Sequence, residues 1–267
     1  MSGIAVDDVL PLLARLAESR TVSETWATAT AWYAGLGFSR CNYGFTLFRA
    51  ANSLGDPDDA LFLTTCDADY ARFYFRNGFF ARTPAFKWVQ NNTGACTWTW
   101  VREAYLAGRL TPDEAETVRQ NAAIGISAGI SVSFPETSSR AKGALGLIAD
   151  QGLTAEDVDA LFAKRRDQIM AVAHMMHLRL IQLPFPLSRR SLTARQREAL
   201  EWVADGKTTQ DISVLMNVSA AMVEKHLRLA REALSVDTTA QAVAKAALMH
   251  LIFPTSDRPS VARPASA

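Results

Sequence analysis

Two groups of side chains in this chain have types and spacings that could do chemistry. The first is a band of aromatics, Tyr70, Phe73, Tyr74, Phe75, Phe79, Phe80, Phe86, Trp88, Trp98 and Trp100, packed into 31 residues. Such rings fill a large core, which is what composition alone favours. They also wall small-molecule sites, where an apolar lining carries a few placed polar groups. The second group is Lys207, Thr208, Ser219, Lys225, Arg228 and Arg231. Lys225, Arg228 and Arg231 recur at helical spacing and share one face, which suits a phosphate backbone and equally suits plain solvation.

Catalytic and metal chemistry have little support. His174 and His177 lie at i, i+3 on one predicted helix, yet no carboxylate or cysteine follows at metal-ligand spacing. The chain has no Gly-rich phosphate loop, no Gly-x-Ser-x-Gly and no His-Glu-x-x-His. Asp113, Glu114 and Glu116 read as a solvated helix start. The expectation is a protein that is not an enzyme, with no cofactor and no metal. Cys41, Cys66 and Cys96 are odd in number and fit neither a disulfide framework nor a metal site, so reduced, mostly buried thiols of a cytoplasmic protein are expected. Asp7, Asp8 and Glu18 interrupt the N-terminal apolar run, so no secretory signal is expected, and no stretch approaches a membrane helix. The net charge of +1 does not advertise a polyanion partner, although it can hide a local basic face.

Both groups must be positioned by secondary structure. Helical periodicity predicts Ile4–Ala17, then Glu24–Leu36 capped by Thr21 or Ser23 and stopped at Gly37. Alternation predicts strands at Cys41–Phe48 and Asp59–Thr65, joined by a loop with Asn52, Gly55 and Pro57, and an extended Trp98–Trp100. Two further strands, Gly129–Phe134 and Gly143–Ala149, flank Pro135–Lys142. Between them lie a helical Asp69–Asn77, a helix opening at Thr83-Pro84, and one from Thr111-Pro112 to Ala123. A long helix capped by Thr154 reaches Ile181.

Periodicity then breaks at Leu183–Ser191, with two prolines and a basic-polar cluster. Beyond it Thr193 caps Ala194–Asp205, which ends at Gly206, and Thr208 or Thr209 caps the next helix. Asn217 suits a turn. Ser219 caps Ala220–Ala233, with Val223, Leu227, Ala230 and Leu234 inward, and Thr238 or Thr239 caps Ala240–Leu251. The expected fold is α+β. Residues 1–182 form an α/β/α sandwich of about five mostly antiparallel strands, 183–191 a linker, 192–253 a four-helix helix-turn-helix domain, and 254–267 a disordered tail. The pattern over Thr209–Arg231 is that of a helix braced against a second helix that enters the DNA major groove.

The local sequence sharpens this. Leu192-Thr193-x-Arg195-x-x-Glu198-x-Leu200-x-Trp202-x-Ala204-x-Gly206-Lys207, then Ile212-x-x-x-Leu215, Val218-Ser219, Val223-x-x-His226 and Leu234-x-Val236, resembles the LuxR/NarL-type helix-turn-helix. Departures are Gln196 for the usual Glu, Met222 for Thr and Ala233 for Lys; the last two remove a hydroxyl and a charge from phosphate contact. Upstream, the intervals from Tyr70 to Tyr74, to Thr83-Pro84 and to Trp98 resemble the autoinducer-binding domain of LuxR-type quorum-sensing regulators, with Gly129 and Ser131 matching later positions.

The resemblance implies a small amphipathic signal, an N-acyl-homoserine lactone, and a homodimer on twofold-symmetric double-stranded DNA, with no membrane partner. It places Tyr74 on the acyl carbonyl, Trp98 or Trp88 on the lactone carbonyl, Tyr70 packed on the ligand, and Phe86 and Ile130 in the lining. The family's Asp, which accepts the ligand amide, is Thr83 here, and Gly146 stands where a Ser or Thr is frequent. Replacing a charge-assisted bond by a neutral one loses about 1–2 kcal/mol, roughly tenfold in affinity. Other readings therefore stay open: a regulator of the same class that needs no ligand or senses a non-lactone signal, and a heterodimerising anti-activator.

Overall fold

The computed structural model describes residues 9–49, 55–136, 138–184 and 191–253, with nothing described of the Arg76 side chain. The predicted tail 254–267, most of the linker (185–190), Ile4 and Asn52 lie outside these residues. The chain divides into two compact units, residues 1–181 and 182–267.

The first unit is built on one five-stranded antiparallel sheet. Its strands are β1 (Arg40–Thr46), β2 (Leu61–Thr64), β3 (Gly94–Thr97), β4 (Gly129–Ser133) and β5 (Lys142–Ile148), in the order β2-β1-β5-β4-β3. Successive side chains point to opposite faces, and the two faces are built differently. One carries the fully buried Cys41, Tyr43, Ile130, Val132, Leu145 and Leu147. It is covered by α1 (Val9–Glu18), α2 (Val22–Ala34) and α7 (Ala155–Gln182). Tyr33 of α2 donates to the Ile169 carbonyl of α7 at 3.1 Å, and Arg179 Nε donates to the Ser19 carbonyl at 2.7 Å. His177 of α7 stacks on Phe134 at 4.0 Å and bonds the Tyr43 hydroxyl at 2.9 Å. Burial, with the positive potential of His174 second, pushes the His177 imidazole down to about 4, so it sits neutral in this core. Gly143 lies under that ring, where any Cβ would stand 2.7 Å from it.

The other face is lined by small and polar residues, Asn42, Gly44, Ala144, Gly146, Ser131 and Ser133. Here the helices stand off. They are α3 (Ala68–Ala71) with a π-type turn at Arg72–Arg76, α4 (Pro84–Asn91), α5 (Thr99–Leu106) and α6 (Pro112–Ala123). The predicted extended Trp98–Trp100 is incorrect: the strand is Gly94–Thr97, and Trp98 is the first turn's flanking residue for α5. The β preference of two tryptophans yields to the helix formers Arg102, Glu103, Ala104 and Leu106 behind them.

The second unit is α8 (Ala194–Ala204), α9 (Thr209–Leu215), α10 (Ala220–Leu234) and α11 (Thr239–Leu248) around Leu200, Ile212, Met216, Val223, Leu227, Leu234 and Ala246. Its helix starts are set locally. Thr193 with Gln196, Thr208 with Asp211 and Thr238 with Gln241 form reciprocal capping boxes, and Ser219 accepts from the Met222 N–H. Gln196 thus makes the bond that a Glu makes in such a box, without the charge. Asn217 turns between α9 and α10 at φ 53°, a conformation Asn tolerates better than most residues.

Candidate functional site

The small-residue face of the sheet and the helices α3 to α6 enclose a cavity of about 330 Å³. Its floor is Asn42, Gly44, Ala144, Gly146 and Ser131, and its roof is aromatic: Phe62, Tyr70, Tyr74, Phe75, Phe80 and Phe86. Trp98, Val101, Tyr105, Leu106, Asn121 and Ile126 close one side, with Val89 and Lys142 toward the opposite end of β5. The size falls at the lower end of small-molecule sites.

Tyr70 and Tyr74 stack at 5.2 Å with planes 12° apart, since they lie four residues apart on consecutive turns. The Tyr70 hydroxyl oxygen accepts from Asn42 Nδ2 at 2.8 Å, and Asn42 Oδ1 accepts from Thr64 at 2.7 Å, so the ring is tied to two strands. The Tyr74 hydroxyl meets no hydrogen-bond partner among the described residues. Burial pushes its pKa up to about 12, with the Cys66 thiol adding a little, so it presents a neutral O–H donor. Trp98 packs over Gly129, where a Cβ would stand 2.8 Å from the indole, and its Nε1 donates to Ser131 Oγ at 2.9 Å. The Ser131 proton remains available for donation. Thr83 is 4% exposed and caps α4: its hydroxyl donates to the Phe80 carbonyl at 2.8 Å and accepts the Phe86 N–H at 3.3 Å, leaving one lone pair. Asn121 Oδ1 is buried in the wall with no partner among the described residues. Gly146 faces open space, its nearest neighbours to a notional Cβ being Asn42 atoms at 3.9 and 4.0 Å.

Of the sequence candidates, Tyr70, Tyr74, Thr83, Phe86, Trp98, Ser131 and Gly146 converge on the cavity. Trp88 and Ile130 do not line it. Ile130 is fully buried on the opposite face, as strand alternation requires once its neighbour Ser131 faces inward. Trp88 lies two residues past Phe86 on α4, a step that turns a helical side chain to the far side. Asn42, Asn121 and Lys142 escaped sequence reasoning. Asn42 and Lys142 had a signal, because each puts a polar group on alternating positions of an otherwise apolar strand; Asn121 had none.

The thiols are free. Burial raises the Cys41 and Cys66 values and pushes Cys96 up to about 11, which keeps all three protonated. Among the described residues no three His, Cys, Asp or Glu side chains group as metal ligands, and no helix is long and apolar enough to cross a membrane.

On the second unit Lys207, Thr208, Ser219, Lys225 and Arg228 are exposed. Lys225 makes no ion pair among the described residues, whereas Arg228 pairs with Glu232 one turn on, at 2.5 Å. The Thr208 hydroxyl is held by Asp211 at 2.7 Å. Arg231 is half-buried and donates to the Thr239 hydroxyl at 2.9 Å, so it braces the start of α11.

An apolar cavity with convergent donors in one unit and a helix-turn-helix in the other define a ligand-responsive, DNA-binding transcriptional regulator. The family descriptions "Autoinducer binding domain" and "Bacterial regulatory proteins, luxR family" match residues 21–180 and 190–246. The chain belongs to the LuxR family of quorum-sensing regulators. It is similar to the transcriptional activator protein SolR of Ralstonia nicotianae, 28% identical over 81% of this chain and 87% of that one. It is also similar to the HTH-type quorum sensing-dependent transcriptional regulator RpaR of Rhodopseudomonas palustris, 36% identical over 32% and 35% of the two chains. Among solved structures, Escherichia coli SdiA shares the fold with a TM-score of 0.54 at 16% identity, covering 92% of this chain and 98% of that chain.

Proposed function

We propose that the cavity takes an N-acyl-homoserine lactone and that its occupancy governs a homodimer's grip on a twofold-symmetric DNA site in the cytoplasm. The observation that carries this is the Tyr74 hydroxyl, a neutral donor that lines the aromatic cavity with no hydrogen-bond partner among the described residues. A ligand carbonyl that accepts from it gains a hydrogen bond worth about 0.5–1.5 kcal/mol. In this reading Tyr74 donates to the acyl carbonyl, Trp98 and Ser131 hold the lactone end, and Tyr70 and Phe86 pack on the ligand. The amide N–H finds the free lone pair of Thr83 or the unpartnered Asn121 Oδ1, in place of a carboxylate.

Binding to the native state alone stabilises it. Lys225 and Arg228 on α10 face the bases, while Lys207, Thr208 and Ser219 position the unit on phosphates. Exposed Leu178 on α7 and Leu248 on α11 support pairing of two copies through these helices. The neutral Thr83 favours one other reading, a regulator of the same class tuned to a signal with no amide N–H. A panel of acyl-homoserine lactones, followed by tryptophan fluorescence, melting temperature and mobility shift of DNA, tests the proposal. A panel that moves none of the three sinks the lactone assignment, and a melting shift from a signal without an amide supports the other reading.

A further inference from the structure

Lys142 is the least expected group in the cavity. It opens β5, faces the same side as Ala144 and Gly146, and its side chain is 4% exposed. A cation withdrawn from water to this degree needs compensation by charge and by hydrogen bonds. Its ammonium donates to Glu136 Oε1 at 2.9 Å and to the Asn92 carbonyl at 3.4 Å. The same Glu136 oxygen also accepts Arg49 at 3.0 Å. Two cations therefore share one carboxylate. The cluster carries an excess positive charge, and the third ammonium proton has no partner among the described residues.

The position is as informative as the charge. Ser131, which holds Trp98, pairs with Gly146, and Lys142 lies four residues back along β5. At a rise of about 3.4 Å per residue this is about 14 Å down the trough. Between the two ends the floor is Gly44, Ala144 and Gly146 under aromatic rings. The trough is thus polar at both ends and apolar in the middle.

We propose that the signal carries an anionic group, a carboxylate, at the end of its acyl chain, and that Lys142 is the residue that selects for it. This rests on the reading of the cavity as an acyl-lactone site and adds the chemistry of the ligand's far end. A methyl-terminated chain that reached Lys142 would leave the under-compensated cation facing apolar atoms. A carboxylate there takes the free N–H and balances the cluster.

The test titrates N-decanoyl-homoserine lactone and its ω-carboxylated counterpart of equal chain length into the full-length protein, with tryptophan fluorescence as the readout. The wild type is expected to bind the carboxylated ligand about tenfold or more tightly, the scale of one charge-assisted hydrogen bond. Lys142→Arg keeps the preference, Lys142→Met reverses it, and Glu136→Gln, which removes the competing carboxylate, enlarges it. A wild type that prefers the methyl-terminated ligand overturns the inference and leaves the lactone reading standing; Lys142 then only covers the cavity with its stem. A preference that survives Lys142→Met overturns it as well. Should that variant not fold, a preference unchanged or reduced in Glu136→Gln does the same. Folded wild type that binds neither ligand overturns the lactone reading together with this one.

Discussion

Replacing Asn121 by Leu should make the empty protein more stable and shrink the further stabilisation that a ligand brings. Asn121 Oδ1 is a buried acceptor with no partner, in a wall otherwise formed by Val118, Ala122, Ile126 and Leu106. An amide left in this state costs about 1–3 kcal/mol, and a leucine of similar shape removes the cost while keeping the wall filled. For a unit of this size each kcal/mol is worth roughly 2–4 °C, so the melting temperature of the empty protein should rise by about 2–12 °C. The same change deletes an acceptor for the ligand N–H, a loss of about 1–1.5 kcal/mol or roughly tenfold in affinity. Thermal and urea melts with and without a saturating lactone measure both effects at once, because ligand stabilisation follows the dissociation constant. The opposite signs of the two effects are what matters. A variant less stable when empty would show that Asn121 is satisfied in solution, and the reasoning from its missing partner would fall.

Gly146→Ser should fold unchanged, since its Cβ would meet only ordinary contacts, and the added hydroxyl should tighten an acyl-lactone measurably in the same fluorescence titration. His177 is neutral in the fold, with its value down at about 4 against 6.5 unfolded, so its contribution is complete above pH 6.5 and drains away as pH falls toward 4. That window holds about 3 kcal/mol; urea midpoints from pH 7 to 4 should fall less steeply in His177→Gln than in the wild type, and parallel slopes would argue against it. Lys207→Ala should weaken operator binding and reduce the slope of log affinity against log salt by about one, the signature of its proposed phosphate contact, with the fold intact by circular dichroism. Arg231→Ala should instead lower the melting temperature of the second unit, because its guanidinium holds Thr239 at the start of α11.

The helix-turn-helix was legible almost throughout because its elements are specified by short-range contacts. Thr193, Thr208, Ser219 and Thr238 each cap the helix that follows, and Asn217 makes the turn from its own backbone preference. In the first unit the strands could be read from alternation, and Tyr70, Tyr74, Thr83 and Trp98, singled out by their intervals, line one cavity. What sequence could not decide was direction. Ile130 and Ser131 were both candidates for the lining, yet adjacent strand residues face opposite ways, and only the pairing of Ser131 with Gly146 settles which one looks inward.

Sequence by itself determined the classes of element, the caps and the family resemblance, since these rest on residues a few positions apart. Tertiary structure decided the rest. It spent the Trp98 N–H on Ser131 and the Thr83 proton on a carbonyl, left the Tyr74 hydroxyl and Asn121 Oδ1 without partners among the described residues, and set Lys142 at the end of the trough. Each of these depends on groups far apart in the chain meeting across a sheet, where one residue of register exchanges the faces, and no local pattern encodes that meeting.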